Sequence, residues 1–438
     1  MKQSLFEVFC VAAPKVIGGV GMVALNALLM RHFAPEQFGA YALCLAGATL
    51  ADATIGSAVD LGVLRLAPHY RATDPERATR LQNTALIFKL AVFLVVCVLL
   101  AGALLLVESR AGARAEPAEL RSLFALGCGA GLGLLLLRSV QTQFQVEGRF
   151  AHYGLCDLLQ HAVRFGGVAV LIAAGGLTPG AALSLFAIGP AAVAAWWVMR
   201  RRSALSTAPL FDTGALGELL QLVKWYLATF CLASTLGRLD VLLLSSLAGA
   251  AEVGIFSAGQ TFAMVPQLAG SYLAVVFAPR VIPYYHSGQL PAFFDRFQTA
   301  IITCCLVAYA VAGVVVGWGA AWLLPASFAR SAGVILTLLP GTLAGLATFP
   351  LTITLIMFLR PRFLFLMDCL VFPLMTALYF EIIPRHGAAG AAWVTSAFSV
   401  IKALIALGAA RRWARLSTLT ERRGDGATGR RSDGVTER

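Results

Sequence analysis

Charge is scarce in this chain. Only 13% of its 438 residues are Asp, Glu, Lys or Arg, while 59% are hydrophobic and the mean hydropathy is +0.79. Soluble domains carry about 25% charged and about 45–50% apolar residues, so the composition excludes that class. Motifs that carry chemistry are missing too. There is no GxxxxGK[ST] to cradle nucleotide phosphates and no HExxH to hold zinc. No DxD and no CxxC occurs, and the six histidines are scattered. The nine cysteines fall inside apolar runs and read as small buried hydrophobes. These absences leave no expected metal, no expected cofactor and no enzyme signature.

What the chain has is long apolar runs. About 20 such residues cross a bilayer as a helix. Spans are expected at about 8–30, 38–58, 83–107, 120–140, 151–174, 181–199, 219–247, 253–278, 298–323, 332–358, 363–383 and 388–410. The fold class is therefore an all-α polytopic membrane protein of about twelve transmembrane helices. The first run, VFCVAAPKVIGGVGMVALNALLM, is too long for a signal-peptide core and lacks a small-residue cleavage site before Arg31, so it reads as a retained span. Twelve spans put both termini on one side. With that side cytoplasmic, about 22 of the 34 basic residues, Arg138 among them, lie on it, as the positive-inside rule requires.

The net charge of +12 does not call for nucleic acid. Its excess sits in short loops and in the basic tail at 411–438, which is expected to be disordered and to touch anionic membrane lipids.

Two short breaks repeat a pattern half a chain apart. RHFAPEQFGAY at 31–41 holds Glu36, Gly39 and Tyr41; LAGAAEVGIF at 247–256 holds Glu252, Gly254 and Phe256. Arg149-Phe150 and Arg362-Phe363 open corresponding spans. The repeat predicts two six-helix lobes, 1–205 and 206–410, in one membrane orientation and enclosing a central cavity. The glycines are expected to permit tight helix starts. The clusters GGVG at 18–21 and GCGAGLG at 127–133 are expected to let helices pack closely.

Charges inside spans are the informative residues. Each costs about 2.5–3.5 kcal/mol on insertion scales and so turns to a cavity or a partner. Lys89, Lys224 and Lys402 lie near span ends and read as snorkelling. Asp157, His161 and Arg164 share one helix face, as do Ser234, Arg238 and Ser245, and Thr395, Ser399 and Lys402. Lys15 and Asn26, eleven apart, also nearly eclipse. An internal Asp157–Arg164 or Arg238–Asp240 pair that merely joins helices is the competing reading. The latter two are two residues apart and do not face each other squarely.

RHFAPEQFGAYAL resembles the turn after the first helix of Wzx-type bacterial polysaccharide flippases, through Arg31, Ala34, Pro35, Glu36, Phe38, Gly39 and Tyr41. Ala34 takes the place of the usual Gly. The run at 238–270 resembles the start of the second half of that family, through Asp240, Glu252, Gly254, Phe256, Ser257 and Ala258. The family sits in the superfamily of multidrug, oligosaccharidyl-lipid and polysaccharide exporters. The resemblance implies a multi-pass inner-membrane protein that moves a polyprenyl-diphosphate-linked oligosaccharide from cytoplasm to periplasm, alongside other glycan-assembly membrane proteins. On that reading Lys15, Arg164 and Arg238 meet the diphosphate, with Asn26, Gln160, Ser234 and Ser245 available to sugars. Asp52, Asp60, Asp157 and Asp240 are the candidates for ion coupling. Two alternatives stay open. A cation-coupled drug exporter of the same superfamily is disfavoured by the excess of cations within spans. A membrane glycan polymerase or ligase is disfavoured by the lack of a long external loop.

Overall fold

The structure is a computed structural model that describes residues 2–111, 117–200, 211–267, 290–354 and 361–432. Among the described residues there are helices and turns and no strand. In the first half, α1 covers Lys2–His32, α2 Pro35–Ala51, α3 Ser57–Thr73, α4 Pro75–Ala111, α5 Pro117–Val146, α6 Phe150–Ala173 and α7 Pro179–Arg200. The second half holds α8 Thr213–Leu247, α9 Ala250–Ala263, α10 Leu290–Leu323, α11 Ser331–Thr354 and α12 Pro361–Ser432. Nine of the described stretches are long and apolar enough to cross a membrane, and Ile302–Val316 of α10 is a shorter apolar one. The chain is an all-α polytopic membrane protein with two six-helix lobes around a central cavity.

Local chemistry sets the helix ends. Pro35 opens α2, where its missing N–H is no loss, and the Gln37 side chain accepts a hydrogen bond from Ala34 N at 3.2 Å. Asp212 caps α8, its carboxylate accepting from Gly214 N at 2.8 Å and Ala215 N at 3.2 Å. α12 is two arms. Gly387 interrupts it at φ 55°, a left-handed conformation that favours glycine. The arms fold back on each other, so Tyr379 Oη and Thr395 Oγ1 lie 2.7 Å apart.

The second span is longer than expected. Instead of ending near residue 58 it passes through a π-helical turn, Asp52–Gly56, and continues as α3 to Thr73, past Pro68. Amphipathicity explains the extension. Val59, Val63 and Ala67 on one face of α3 pack against Ala215, Leu219 and Val223 of α8. That same contact draws the start of α8 back to Thr213, six residues before the expected 219.

The glycine clusters act as expected. A Cβ at Gly18 would strike the His161 ring and one at Gly21 the Phe165 ring, so α1 lies close on α6. At Gly133 it would meet the Ala187 carbonyl, 2.7 Å away, across the α5–α7 contact. For Gly39 and Gly254 the expected reason needs correcting. Neither is among the positive-φ glycines, which are Gly148, Gly175, Gly249 and Gly387. Their role is close approach. A Cβ on Gly39 of α2 would collide with the Ala250 carbonyl oxygen, and one on Gly254 of α9 with the Pro35 carbonyl oxygen. The two repeated turns therefore meet each other, backbone against backbone, across the seam between the lobes. Phe38 stacks edge-on against Phe328 beside this seam, with ring centroids 5.8 Å apart.

Glu252 lies in the first turn of α9. It ties the rim of the second lobe together, pairing with Arg330 at 2.6 and 3.3 Å and accepting from Ala388 N at 2.8 Å, next to the Gly387 break. On the opposite side of the lobes, Glu218 of α8 accepts from Tyr70 Oη at 2.8 Å and from Arg77. Of the basic tail expected at 411–438, the part up to Ser432 is the end of α12, and 433–438 lie outside the described residues.

Candidate functional site

Between the lobes lies a cavity of about 640 Å³. Its walls are chiefly α1, α2 and α6 of the first lobe, with Leu134 of α5 and Phe186 of α7, and α8 and α9 of the second. Lys15, Asn26, His161, Arg164 and Arg238 all line it. Gln260, Thr261 and Gln267 add amide and hydroxyl groups from the second lobe. The candidate set Lys15, Asn26, Arg164 and Arg238, drawn from three helices far apart in the chain, is thus brought to one space. No carboxylate lines this cavity among the described residues.

Aromatic rings hold two of the cations. Arg164, only 5% exposed, lies over the Phe186 ring at 4.4 Å, and Lys15 Nζ lies 5.3 Å from the Tyr153 ring centroid. Arg164 Nε and Nη2 are buried and have no hydrogen-bond partner among the described residues. Asn26 donates to Thr261 Oγ1 at 3.2 Å, a bond that crosses from lobe to lobe.

The stripe Asp157–His161–Arg164 does face one way, into a bay that opens beside Lys15. No Asp157–Arg164 ion pair forms among the described residues. Asp157 Oδ1 instead accepts from Gln141 Nε2 at 2.7 Å and Gln160 Nε2 at 2.9 Å. Arg238 and Asp240 part company as their spacing requires. Arg238 lines the central cavity, while buried Asp240 lines a second space of about 220 Å³ within the other lobe, with Thr395, Ser399 and Lys402. Ser234 and Ser245 do not line the central cavity among the described residues.

Two carboxylates lie away from the cavity, in ion pairs inside the first lobe. Asp60 accepts from Lys89 Nζ at 2.7 Å, and that ammonium also donates to Ser139 Oγ at 2.6 Å. Lys89 is 1% exposed, which corrects its reading as a snorkelling residue. Asp52, on the π-turn, pairs with Arg138 Nε at 3.1 Å. Lys402 likewise pairs at 2.6 Å with Asp368, a buried acid that sequence reasoning missed. Arg138 was missed as well: counted only as a cytoplasmic-side charge at the end of the span expected at 120–140, it lies inside α5, which runs on to Val146. The polar run Arg138, Gln141 and Thr142 on an apolar helix was the available signal.

Residues 12–284 match the family described as "Polysaccharide biosynthesis protein". The chain belongs to that family. No curated protein matches it. Solved structures share its fold. The lipid II flippase MurJ in an inward closed conformation superposes with a TM-score of 0.72 at 12% identity, covering 99% of this chain and 94% of that one. An outward-facing multidrug resistance MATE family transporter of the MOP superfamily gives 0.65 at 13% identity, covering 95% and 96%. A MOP superfamily transporter from Pyrococcus furiosus Vc1, described as having a binding pocket of reverse polarity that suggests a different function, gives 0.59 at 13%, covering 94% and 95%. At such identities the likeness is one of fold.

Proposed function

We propose that this polysaccharide biosynthesis protein is a flippase, moving a polyprenyl-diphosphate-linked oligosaccharide across the bacterial inner membrane, with both termini cytoplasmic. One observation carries the reading. Lys15, Arg164 and Arg238 converge on the interlobe cavity, which no described carboxylate lines. Such a space suits a ligand with several negative charges and rejects a cationic drug. The guanidinium of Arg164 binds two phosphate oxygens at once and keeps its charge at every physiological pH. Amides and hydroxyls of Asn26, Gln260 and Thr261 suit the glycan, and the lipid tail stays in the bilayer beside the lobes.

The test is reconstitution. Vesicles holding the purified chain should move a labelled polyprenyl-diphosphate oligosaccharide from one leaflet to the other, measured by quenching of the accessible label. Arg164→Ala should stop the movement at unchanged protein level. No movement of any lipid-diphosphate glycan, together with efflux of cationic dyes, refutes the proposal and favours the drug-exporter reading.

A further inference from the structure

The bay beside the central cavity has chemistry of its own. It lies wholly within the first lobe, has a volume of about 240 Å³, and shares Lys15, His161 and Arg164 with the cavity. Its remaining polar wall is Gln141, Asp157 and Gln160, with Tyr153 and Arg138, whose Nε pairs with Asp52 at 3.1 Å. Asp157 Oδ1 accepts from both amides, at 2.7 and 2.9 Å, which fixes which end of each amide it faces. Gln160 is 7% exposed, and its Oε1 is buried with no hydrogen-bond partner among the described residues. Arg164, 5% exposed, has Nε and Nη2 in the same condition.

Buried polar atoms without partners are uncommon, and each one calls for a reason. Here the orphans have opposite needs. Gln160 Oε1 requires a donor, and the Arg164 nitrogens require acceptors. A phosphate group supplies acceptors alone and leaves Gln160 Oε1 without a donor. A hydrocarbon tail supplies neither. A hydroxyl both donates and accepts, so a polyhydroxylated ring satisfies both kinds of atom. A volume of 240 Å³ corresponds to about eight waters, room for one monosaccharide and little more.

We propose that this bay receives the single sugar attached directly to the diphosphate, and that Asp157 and Gln160, held in place by Gln141, read its hydroxyls. The inference rests on the flippase reading above. It is the nearest sugar that fits, because Lys15 and Arg164 stand at the junction of bay and cavity. Phosphates held by them leave only the adjoining ring within reach of Gln160. Further sugars extend into the larger central space.

Binding to the full-length chain in nanodiscs tests this. The probes are bare polyprenyl diphosphate and polyprenyl-diphosphate monosaccharides bearing glucose, galactose, N-acetylglucosamine or N-acetylgalactosamine. At least one monosaccharide lipid should bind about tenfold more tightly than the bare lipid, the worth of one or two added neutral hydrogen bonds. Gln160→Met should shrink that preference to within twofold while leaving the bare lipid's Kd unchanged. Gln141→Met, which frees Asp157 to turn, should do the same and serves if the first variant does not fold. Free methyl glycosides of the four sugars should not compete at equal concentration. Binding of the bare lipid with no gain from any sugar overturns the bay proposal and leaves the flippase reading intact. Equal loss of both lipids in a folded Gln160→Met variant, or methyl glycosides competing as well as the lipids, also overturns it. Failure of every lipid to bind removes the flippase reading and the bay with it.

Discussion

Gly254→Ala places one methyl group where the two lobes touch. Its carbon would land on the Pro35 carbonyl oxygen, with the Pro35 carbonyl carbon and Cα also close. Backbone has no rotamer to yield, so the seam has to part. Overpacking of this kind costs about 1–3 kcal/mol. That cost applies to the state in which α2 and α9 touch. The gain in helix propensity from Gly to Ala, about 1 kcal/mol, applies in every folded state and offsets part of any loss in overall stability. The seam equilibrium should therefore shift toward opening by about 5- to 150-fold while the unfolding temperature changes little. The readout is a cysteine at Ala42, which lines the cavity below Gly39, in a chain otherwise free of its nine cysteines. An impermeant maleimide applied from the face that carries Pro35 and Ala250 should label it at least five times faster in Gly254→Ala. Gly39→Ala should behave alike, because its Cβ meets the Ala250 carbonyl. Gly47→Ala is the control, since nothing lies within 4 Å of its Cβ. Unchanged labelling in both seam variants, or equal labelling in Gly47→Ala, would refute the reasoning.

Other expectations follow from the charged clusters and the topology. Arg164→Ala should abolish glycan-lipid transport with normal expression, and Arg164→Lys should retain part of it. The Asp157→Asn, Arg164→Gln double variant should stay inactive, because Asp157 is held by Gln141 and Gln160 and not by Arg164; recovered transport would take Arg164 out of the substrate site. Lys89→Met leaves Asp60 buried without its ion pair and should destabilise the protein by about 3–5 kcal/mol. Adding Asp60→Leu should restore most of the thermal stability, and normal transport by that double variant would exclude Asp60 from ion coupling. Ala250→Cys should react with an impermeant reagent from the periplasm and Thr207→Cys should not; the reverse would overturn the proposed orientation.

Features that repeat along one helix were legible in the sequence. Asp157, His161 and Arg164 sit a heptad apart and do share a wall, and Lys15 and Asn26 both reach the cavity. The small-residue clusters identified the tight α1–α6 and α5–α7 contacts. What joins separate helices was not legible. Lys89 and Asp60 are 29 residues apart, and helical periodicity is silent about which face of α3 meets which face of α4. Lys402 and Asp368 sit on opposite arms of α12 and meet only because Gly387 folds the arms together. The span expected at 120–140 ended just after Arg138 and before Gln141 because hydropathy falls before the helix ends; α5 continues since its last turns are buried among other helices, with Phe144 fully covered. The repeated turn was visible, but its purpose was not. Only the fold shows that Gly39 and Gly254 spare each other's backbone.

The π-turn at Asp52–Gly56 has a mechanical consequence. It lies between two grips that the second span keeps on the other lobe: α2 holds α9 through Gly39, and α3 holds α8 through Val59, Val63 and Ala67. A straight rod clamped at both ends permits no rocking. A rod with a joint does, since one end can let go while the other serves as the pivot. π-turns carry a widened, weaker hydrogen-bond ring and recur at functional positions in helices. Asp52 sits in this joint with its carboxylate tied to Arg138 of α5. The joint is thereby braced against the body of its own lobe, and a bend of the span would fall there, between the two grips.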